Sequence, residues 1–235
     1  MQIKKYIPNV ITLLNLFCGC IAIVFVSNKQ FETAFFFVSL GIFFDFFDGF
    51  FARLFKVSGP LGVQLDSLAD MVTSGVVPGF VMYKLLLNLT IFDANSWIPY
   101  LGFIITLGAC YRLANFNIDT RQSDSFIGLP TPANTLFIMS LPLVLKYSDS
   151  LVVLEIFINQ WVLLAITLFS AYVMNAEIPL FSLKIKDFSF QKNALQIVFL
   201  TLSVLLLIFF HYLGIPLVII GYVLLSIVNN KFLKK

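Results

Sequence analysis

Asp45-Phe46-Phe47-Asp48-Gly49-Phe50-Phe51-Ala52-Arg53 closes one long apolar run, and Gly62-Val63-Gln64-Leu65-Asp66-Ser67-Leu68-Ala69-Asp70 opens the next. Wound as a helix, the first stretch sets Asp45, Asp48, Gly49, Ala52 and Arg53 on one stripe, because offsets of three, four, seven and eight share a face. Gly62, Asp66 and Asp70 recur every fourth residue and make a second stripe. The phenylalanines between the acids point away, toward lipid or neighbouring helices. Leu54 to Leu61, with Ser58-Gly59-Pro60 as turn and helix-start chemistry, is short enough to make the two helices antiparallel neighbours. The two acidic stripes then meet at one border of whatever layer the apolar runs occupy.

That layer is a bilayer. Of the 235 residues 60% are hydrophobic and 11% charged, and the mean hydropathy is +0.96, outside the range of soluble domains. About 20 apolar residues span the hydrocarbon core, and runs of that order recur near 7–27, 31–52, 62–86, 97–115, 127–146, 151–174, 193–212 and 216–230. The expected fold is an all-α polytopic transmembrane bundle of about eight helices, a single membrane domain over 1–235. Within it, 7–190 is the expected six-helix catalytic core, with two C-terminal helices in 191–235. Leu213-Gly214-Ile215-Pro216 leaves only a tight turn between the last two. The N-terminal run has no cleavable-leader pattern and reads as a retained anchor.

Lysine and arginine collect on the cytoplasmic side of membrane proteins. With both termini inside, the inner segments hold Lys4, Lys5, Arg53, Lys56, Arg112, Arg121, Lys184, Lys186, Lys192, Lys231, Lys234 and Lys235, and the outer ones only Lys29, Lys84 and Lys146. The net charge of +3 is too small and scattered for a nucleic-acid surface. Cys18, Cys20 and Cys110 lie in apolar runs and are expected as small packed hydrophobes, without disulfide or zinc spacing. Trp97 and Trp161 fit interfacial anchors. His211, the only histidine, falls near the outer end, across the membrane from the acids, and Asn88-Leu89-Thr90 is a sequon in an outer loop.

Aspartates in apolar helices are costly and mark function when clustered. Four carboxylates in one place repel unless neutralised, and one arginine is not enough. Divalent metal supplies the charge; all-oxygen donors favour Mg²⁺ or Mn²⁺, and four acids suit two ions that keep positions open for phosphates. Gly49 and Ala52 clear bulk from the acidic face. Arg53, about 12 Å along the axis from Asp45, reaches a phosphate at the border. Thr12 and Asn15, one turn apart in the first run, are candidates for nucleotide or phosphate contacts, with helix packing an equal explanation.

Asp45-x2-Asp48-Gly49-x2-Ala52-Arg53-x8-Gly62-x3-Asp66-x3-Asp70, eight fixed positions across 26 residues, resembles the signature of the CDP-alcohol phosphatidyltransferase family without departure. The resemblance implies Asp45, Asp48 and Asp66 as metal ligands, Asp70 as general base and further ligand, and Gly49, Ala52, Arg53 and Gly62 as the CDP-lipid cradle. It also implies a homodimer, while the lysine and arginine pattern puts the expected active site at the cytoplasmic face of the cell membrane. Pro8-Asn9-Val10-Ile11-Thr12-Leu13-Leu14-Asn15, Gly75-Val76-Val77-Pro78, Arg112-Leu113-Ala114-Asn115-Phe116-Asn117 and Phe126-Ile127-Gly128-Leu129-Pro130-Thr131-Pro132-Ala133 are similar to the serine-accepting bacterial branch of that family. The likeness thins after residue 135, where Ile178-Pro179-Leu180-Phe181-Ser182-Leu183-Lys184 is a faint match. The substrates so implied are CDP-diacylglycerol and L-serine, with Arg112, Asn115 and Arg121 as candidates for holding serine. Glycerol 3-phosphate or an inositol phosphate is the alternative acceptor. A cation transporter is the alternative outside enzymes, and it predicts acids at the bilayer midplane.

Overall fold

The computed structural model describes residues 6–89, 96–119, 121, 126–181 and 193–230. Lys4, Lys5, Thr90, Lys184, Lys186, Lys192, Lys231, Lys234, Lys235 and the Ser182–Lys184 end of the faint match lie outside them. Among the described residues every regular element is helical, and β pairing is confined to one isolated bridge between Ile127 and Pro179. Helix α1 is Ile7–Ser27 and α2 is Phe31–Leu54; α3, Pro60–Asp70, passes through a π-helical stretch, Met71–Val76, into α4, Val77–Leu89. A 3-10 turn, Ile98–Phe103, leads into α5, Ile104–Ile118, and α6 is Thr131–Tyr147. Then follow α7, Leu151–Ile158; α8, Gln160–Asn175; α9, Ala194–Phe210; and, after a 3-10 turn at His211–Leu213, α10, Gly214–Val228.

Two sequence-based boundaries change. The run 151–174 is not one span: it breaks at Asn159 and bends by 72°. Asn159 accepts a hydrogen bond from the Trp161 amide and starts α8 as its N-cap. The residue that ended α7 thus begins a new helix, and α7 keeps no buried residue. The second change concerns 127–146, whose first residues are extended. Gly128 has φ 74°, and a Cβ there would lie 2.5 Å from the Met174 carbonyl oxygen, so only glycine fits. The Gly128 amide donates to Ile178 O at 2.8 Å and Leu129 N to Val173 O at 3.0 Å. The apolar stretch Ala194–Val228 turns at His211, as a hairpin: Phe199 and Tyr222 ring centroids are 5.5 Å apart, impossible along one straight helix.

One end of the bundle, the A face, collects the start of α1, the end of α2, the start of α3 and the ends of α5 and α8. The opposite B face carries Glu32 bonded to Lys146 and, at 3.1 Å, to the Tyr147 hydroxyl. Tyr147 stacks on Tyr212, 5.1 Å away. Lys29 reaches Asn88 Oδ1 and Lys84 the Ser27 carbonyl, so the three lysines separated in sequence gather at this end, as does His211. Of the cysteines, Cys18 is buried, whereas Cys20 and Cys110 face outward as lipid-side hydrophobes, not packed ones. Trp97 and Trp161 are exposed at helix starts, as interfacial anchors require.

The core runs through α1, α4 and α6, with Ala22, Val26, Val77, Met82, Leu86, Ile138 and Met139 fully buried. Small residues bring the backbones together, the usual device where lipid removes the hydrophobic drive. A Cβ at Gly19 would lie 2.4 Å from Thr73 Oγ1, and one at Gly41 2.9 Å from Asn15 Oδ1. The π stretch has a chemical cause. Pro78 has no amide hydrogen, so the Ser74 carbonyl loses its partner four residues on, a cost the bilayer cannot refund with water. Thr135 Oγ1 of α6 donates to Ser74 O at 3.0 Å, and Thr106 Oγ1 of α5 to Gly75 O at 2.9 Å.

Candidate active site

The link after α2 turns through Lys56, at φ 54°. It reverses the chain, yet α2 and α3 hardly touch along their backbones: both pack on α1, which stands between them as a wedge. The antiparallel pair expected from the short link is therefore a splayed one. The space left in the fork is spanned by acids. Carboxylate oxygens of Asp45, Asp48 and Asp66 all lie within 4.8 Å of one another; Asp70, one turn further along α3 from Asp66, is not in that trio. Counting back from Leu89, roughly 20 residues at 1.5 Å use up the ~30 Å hydrocarbon core at Asp70. Asp66 and Gly62 thus stand in the interfacial layer, away from the midplane site of a transporter. On the other side of α2 the aromatic rings stack up the helix, with Phe43 to Phe47 at 4.6 Å and Phe51 to Phe55 at 5.6 Å.

Helix α1 orients the acids. Thr12 Oγ1 lies 2.5 Å from Asp48 Oδ2 and donates to it; Asn15 Nδ2 donates to Asp70 Oδ1 at 3.0 Å. Asn15 is fully buried and held from behind, its carbonyl accepting from Thr73 Oγ1 at 3.1 Å. The sequence made both residues candidates for nucleotide or phosphate contacts, with helix packing as the equal alternative. Thr12 does line the cavity, but Asn15 does not; the Thr12 hydroxyl and the Asn15 amide nitrogen each donate to an aspartate.

The cavity between α1, α2 and α3 has a volume of about 180 Å³ and is lined by Thr12, Asp48, Gly49, Ala52, Arg53, Gly62 and Asp66, together with Pro8, Asn9, Val57, Ser58, Gly59 and Val63. Its glycines differ from those of the core. A Cβ at Gly59 would meet nothing within 4 Å, at Gly62 only Asn9 Oδ1 at 3.6 Å, and at Gly49 only the Arg53 guanidinium, nearest at 3.4 Å. No packing demands glycine at these positions, so the room they leave is room for an occupant. Asn9, Ser58 and Gly59 were not singled out as contacts; their signal was adjacency, Asn9 in the Pro8-Asn9 start and the other two in the turn.

The donor set around the fork is all carboxylate, with no histidine or cysteine among the described groups, and three oxygens at this spacing fit a hard divalent cation. The acids arranged this way, under an arginine and beside open glycines, can hold a cation and the phosphates it bridges.

A second polar cavity of about 160 Å³ lies at the same face, lined by Tyr111, Arg112, Asn115, Asp119, Arg121, Ile127, Asn175, Ala176 and Glu177. It brings together all three residues expected to hold serine. Arg112 is 7% exposed, and its Nη1 donates to the carbonyls of Ile127 and Met174, each at 2.7 Å. No carboxylate pairs with it among the described residues. Arg121 is exposed and already engaged: it forks onto Asp119 at 3.0 and 3.1 Å and reaches Glu177 at 3.5 Å. The adjacent Asp119 carboxylate raises the Arg121 pKa further above its ordinary value. Asn115 is exposed at the rim.

A CDP-diacylglycerol–serine O-phosphatidyltransferase of Bacillus subtilis (strain 168) is 36% identical over 132 residues, 54% of this chain and 70% of that protein. Proteins of the same name from Helicobacter pylori (strain J99 / ATCC 700824) and Saccharomyces cerevisiae (strain ATCC 204508 / S288c) are each 33% identical. The first match runs over 138 residues, 56% of this chain, and the second over 157, 60% of this chain. In both cases the chain spans about half of the relative, 55% of its length. The sequence profile of the CDP-alcohol phosphatidyltransferases matches residues 5–173, which takes in α1 to α6, the fork of aspartates, both cavities' principal residues and most of α8. With that profile covering more than half of its length, the chain belongs to the CDP-alcohol phosphatidyltransferase family.

Proposed function

We propose that this chain is a phosphatidylserine synthase, transferring the phosphatidyl group of CDP-diacylglycerol to the hydroxyl of serine with release of CMP. The observation that carries the reading is the trio of carboxylates within 4.8 Å, set beside a cavity whose glycines no protein atom crowds. Asp45, Asp48 and Asp66 hold divalent cations, Mg²⁺ or Mn²⁺, with Asp70 completing a two-ion set; when bound, the ions draw charge from the pyrophosphate and stabilise the leaving phosphate. Arg53 binds the pyrophosphate at the rim, and Gly49, Ala52 and Gly62 let the nucleotide approach the backbone. Thr12 and Asn15 fix the orientation of Asp48 and Asp70. Asn15 occupies one oxygen of Asp70 and leaves the other to take the hydroxyl proton. As the bond from serine Oγ to the phosphatidyl phosphorus forms, the bond from that phosphorus to the CMP oxygen breaks. The electron pair leaves on CMP, and the proton rests on Asp70.

Serine as the acceptor is favoured by the second cavity. It presents the cationic Arg112, free of any carboxylate among the described residues, and the acids Asp119 and Glu177 in one wall. Both signs together suit a zwitterion; a phosphorylated acceptor such as glycerol 3-phosphate would meet two carboxylates. The names of the relatives point to serine as well. In this reading the A face, with Arg53, Arg112 and Arg121, is cytoplasmic. Residues 7–190 form the catalytic core, 191–235 append two helices, and the enzyme works as a homodimer in the cell membrane. Membranes carrying the protein, given CDP-diacylglycerol, Mn²⁺ or Mg²⁺ and a panel of labelled alcohols, should release CMP with serine alone. Release with glycerol 3-phosphate or an inositol phosphate, and none with serine, would overturn the acceptor; no release with any alcohol would overturn the reaction.

A further inference from the structure

A third cavity of about 190 Å³ opens between α6, α8 and α10 and shares no lining residue with the other two. Its walls are Leu129, Phe137, Ile166, Val173, Ile219 and their neighbours, apolar throughout except at one point. There Asn134, 1% exposed, meets Ser170, 5% exposed, whose hydroxyl donates to Asn134 Oδ1. Asn134 Nδ2 is buried with no partner. The imbalance does not depend on how the amide is turned. Amide and hydroxyl bring three donor hydrogens, and at least one N–H is left over in either orientation. An orphaned donor in an apolar wall is costly unless something accepts from it, and a lone water finds no further polar partner in such a groove.

The depth of the donor identifies the acceptor. Asn134 lies three residues inside the start of α6, about 5 Å along its axis, at the end of the bundle that carries the aspartates. At that depth a glycerophospholipid has its ester carbonyls, just within the border of the hydrocarbon layer. Phe169 and Leu224, both well exposed, open the groove to the bilayer.

We propose that this groove is a binding site for one acyl chain of a membrane diacyl glycerophospholipid that is not the substrate, its ester carbonyl accepting from Asn134 Nδ2. The hydrogen bond makes the site selective for ester-linked over ether-linked lipid, since a dialkyl lipid brings the same chain but no carbonyl. The site is structural or modulatory in character, seated where the C-terminal hairpin closes on the core.

The test uses the full chain in detergent, stripped of lipid and incubated with dioleoyl phosphatidylglycerol or with its dialkyl ether analogue, bound lipid being read by native mass spectrometry. The diester should be retained about five-fold better than the diether, as one net hydrogen bond allows. The Asn134→Leu variant should bind both alike. Because that variant can fail to fold, the comparison of the two lipids on the unaltered protein decides alone. Equal retention of diester and diether would overturn the proposal, and so would displacement of the bound phosphatidylglycerol by equimolar CDP-diacylglycerol, which would hand the groove to the substrate.

Discussion

The aspartate cavity gathers carboxylates that repel one another, with a single arginine at its rim; the neighbouring cavity buries a guanidinium that is held by neutral carbonyls and carries its acids at the edge. Each leaves a charge unanswered by the protein, and the two charges have opposite sign. The first asks for cations and whatever anion they bring, the second for an anion of its own. A transferase that must join a nucleotide lipid to a charged acceptor needs both requests at one face. The difference also lies in how each charge is anchored. The acids are set by a helix stripe and by two side-chain bonds from α1, whereas Arg112 is itself an anchor, tying the Ile127 and Met174 backbones together.

That contrast can be broken at several points. Asp48→Ala or Asp66→Ala should cut serine-dependent CMP release by roughly a thousand-fold, the scale of losing one element of transition-state charge stabilisation; near-normal release from either variant would separate the trio from the chemistry. Asp70→Asn should lower turnover by a factor on the order of a hundred or more while leaving CDP-lipid binding intact, as expected of a proton acceptor. Unchanged turnover would remove Asp70 from that role. Thr12→Val keeps the shape of the side chain and deletes its 2.5 Å bond to Asp48. It should reduce kcat about ten-fold with the serine KM unmoved, a charge-assisted hydrogen bond being worth about 1.5–3 kcal/mol.

In the second cavity, Arg112→Gln should raise the serine KM about ten-fold and spare the CDP-lipid KM. It should also lower Tm, because each buried carbonyl left without a donor costs about 1–3 kcal/mol. A fall in Tm with unaltered serine kinetics would leave Arg112 as an anchor only. The smallest change belongs to Arg121→Ala: with its fork exposed and already paired, Tm should stay where it is and the serine KM should move by no more than about two-fold.

The same contrast explains what could be read from the chain. The aspartates on either side of the link obey the period of a helix, so the two acidic stripes and the glycines beside them were legible in the sequence. Arg112, Asn115 and Arg121 were legible as residue types at the right end of the bundle, but their partners were not. Ile127 and Met174 offer only backbone carbonyls, which no side-chain pattern reports, and Arg121 takes Glu177 from 56 residues away. The break at Asn159 hid inside a run long enough for one span: Glu155, Asn159 and Gln160 interrupt its apolar character, but an N-cap residue looks the same in a helix interior. The splaying of α2 and α3 was hidden for another reason: a short link limits how far two helix ends can part, and leaves the angle beyond them to the wedge of α1. Pro78 signalled a lost hydrogen bond, but the threonines that answer it, Thr106 and Thr135, are set by tertiary packing.

The π-helical stretch at Met71–Val76 makes one helix answer to two masters. Its wider winding resets the angular phase between α3, which presents acids to the fork, and α4, which presents Val77, Met82 and Leu86 to the core. Forcing those six residues into regular α winding would rotate one segment against the other by about 100°, one residue's turn. The lower segment, locked among its neighbours, would keep its place, and Asp66 and Asp70 would swing out of the fork with every other contact in the bundle still sound.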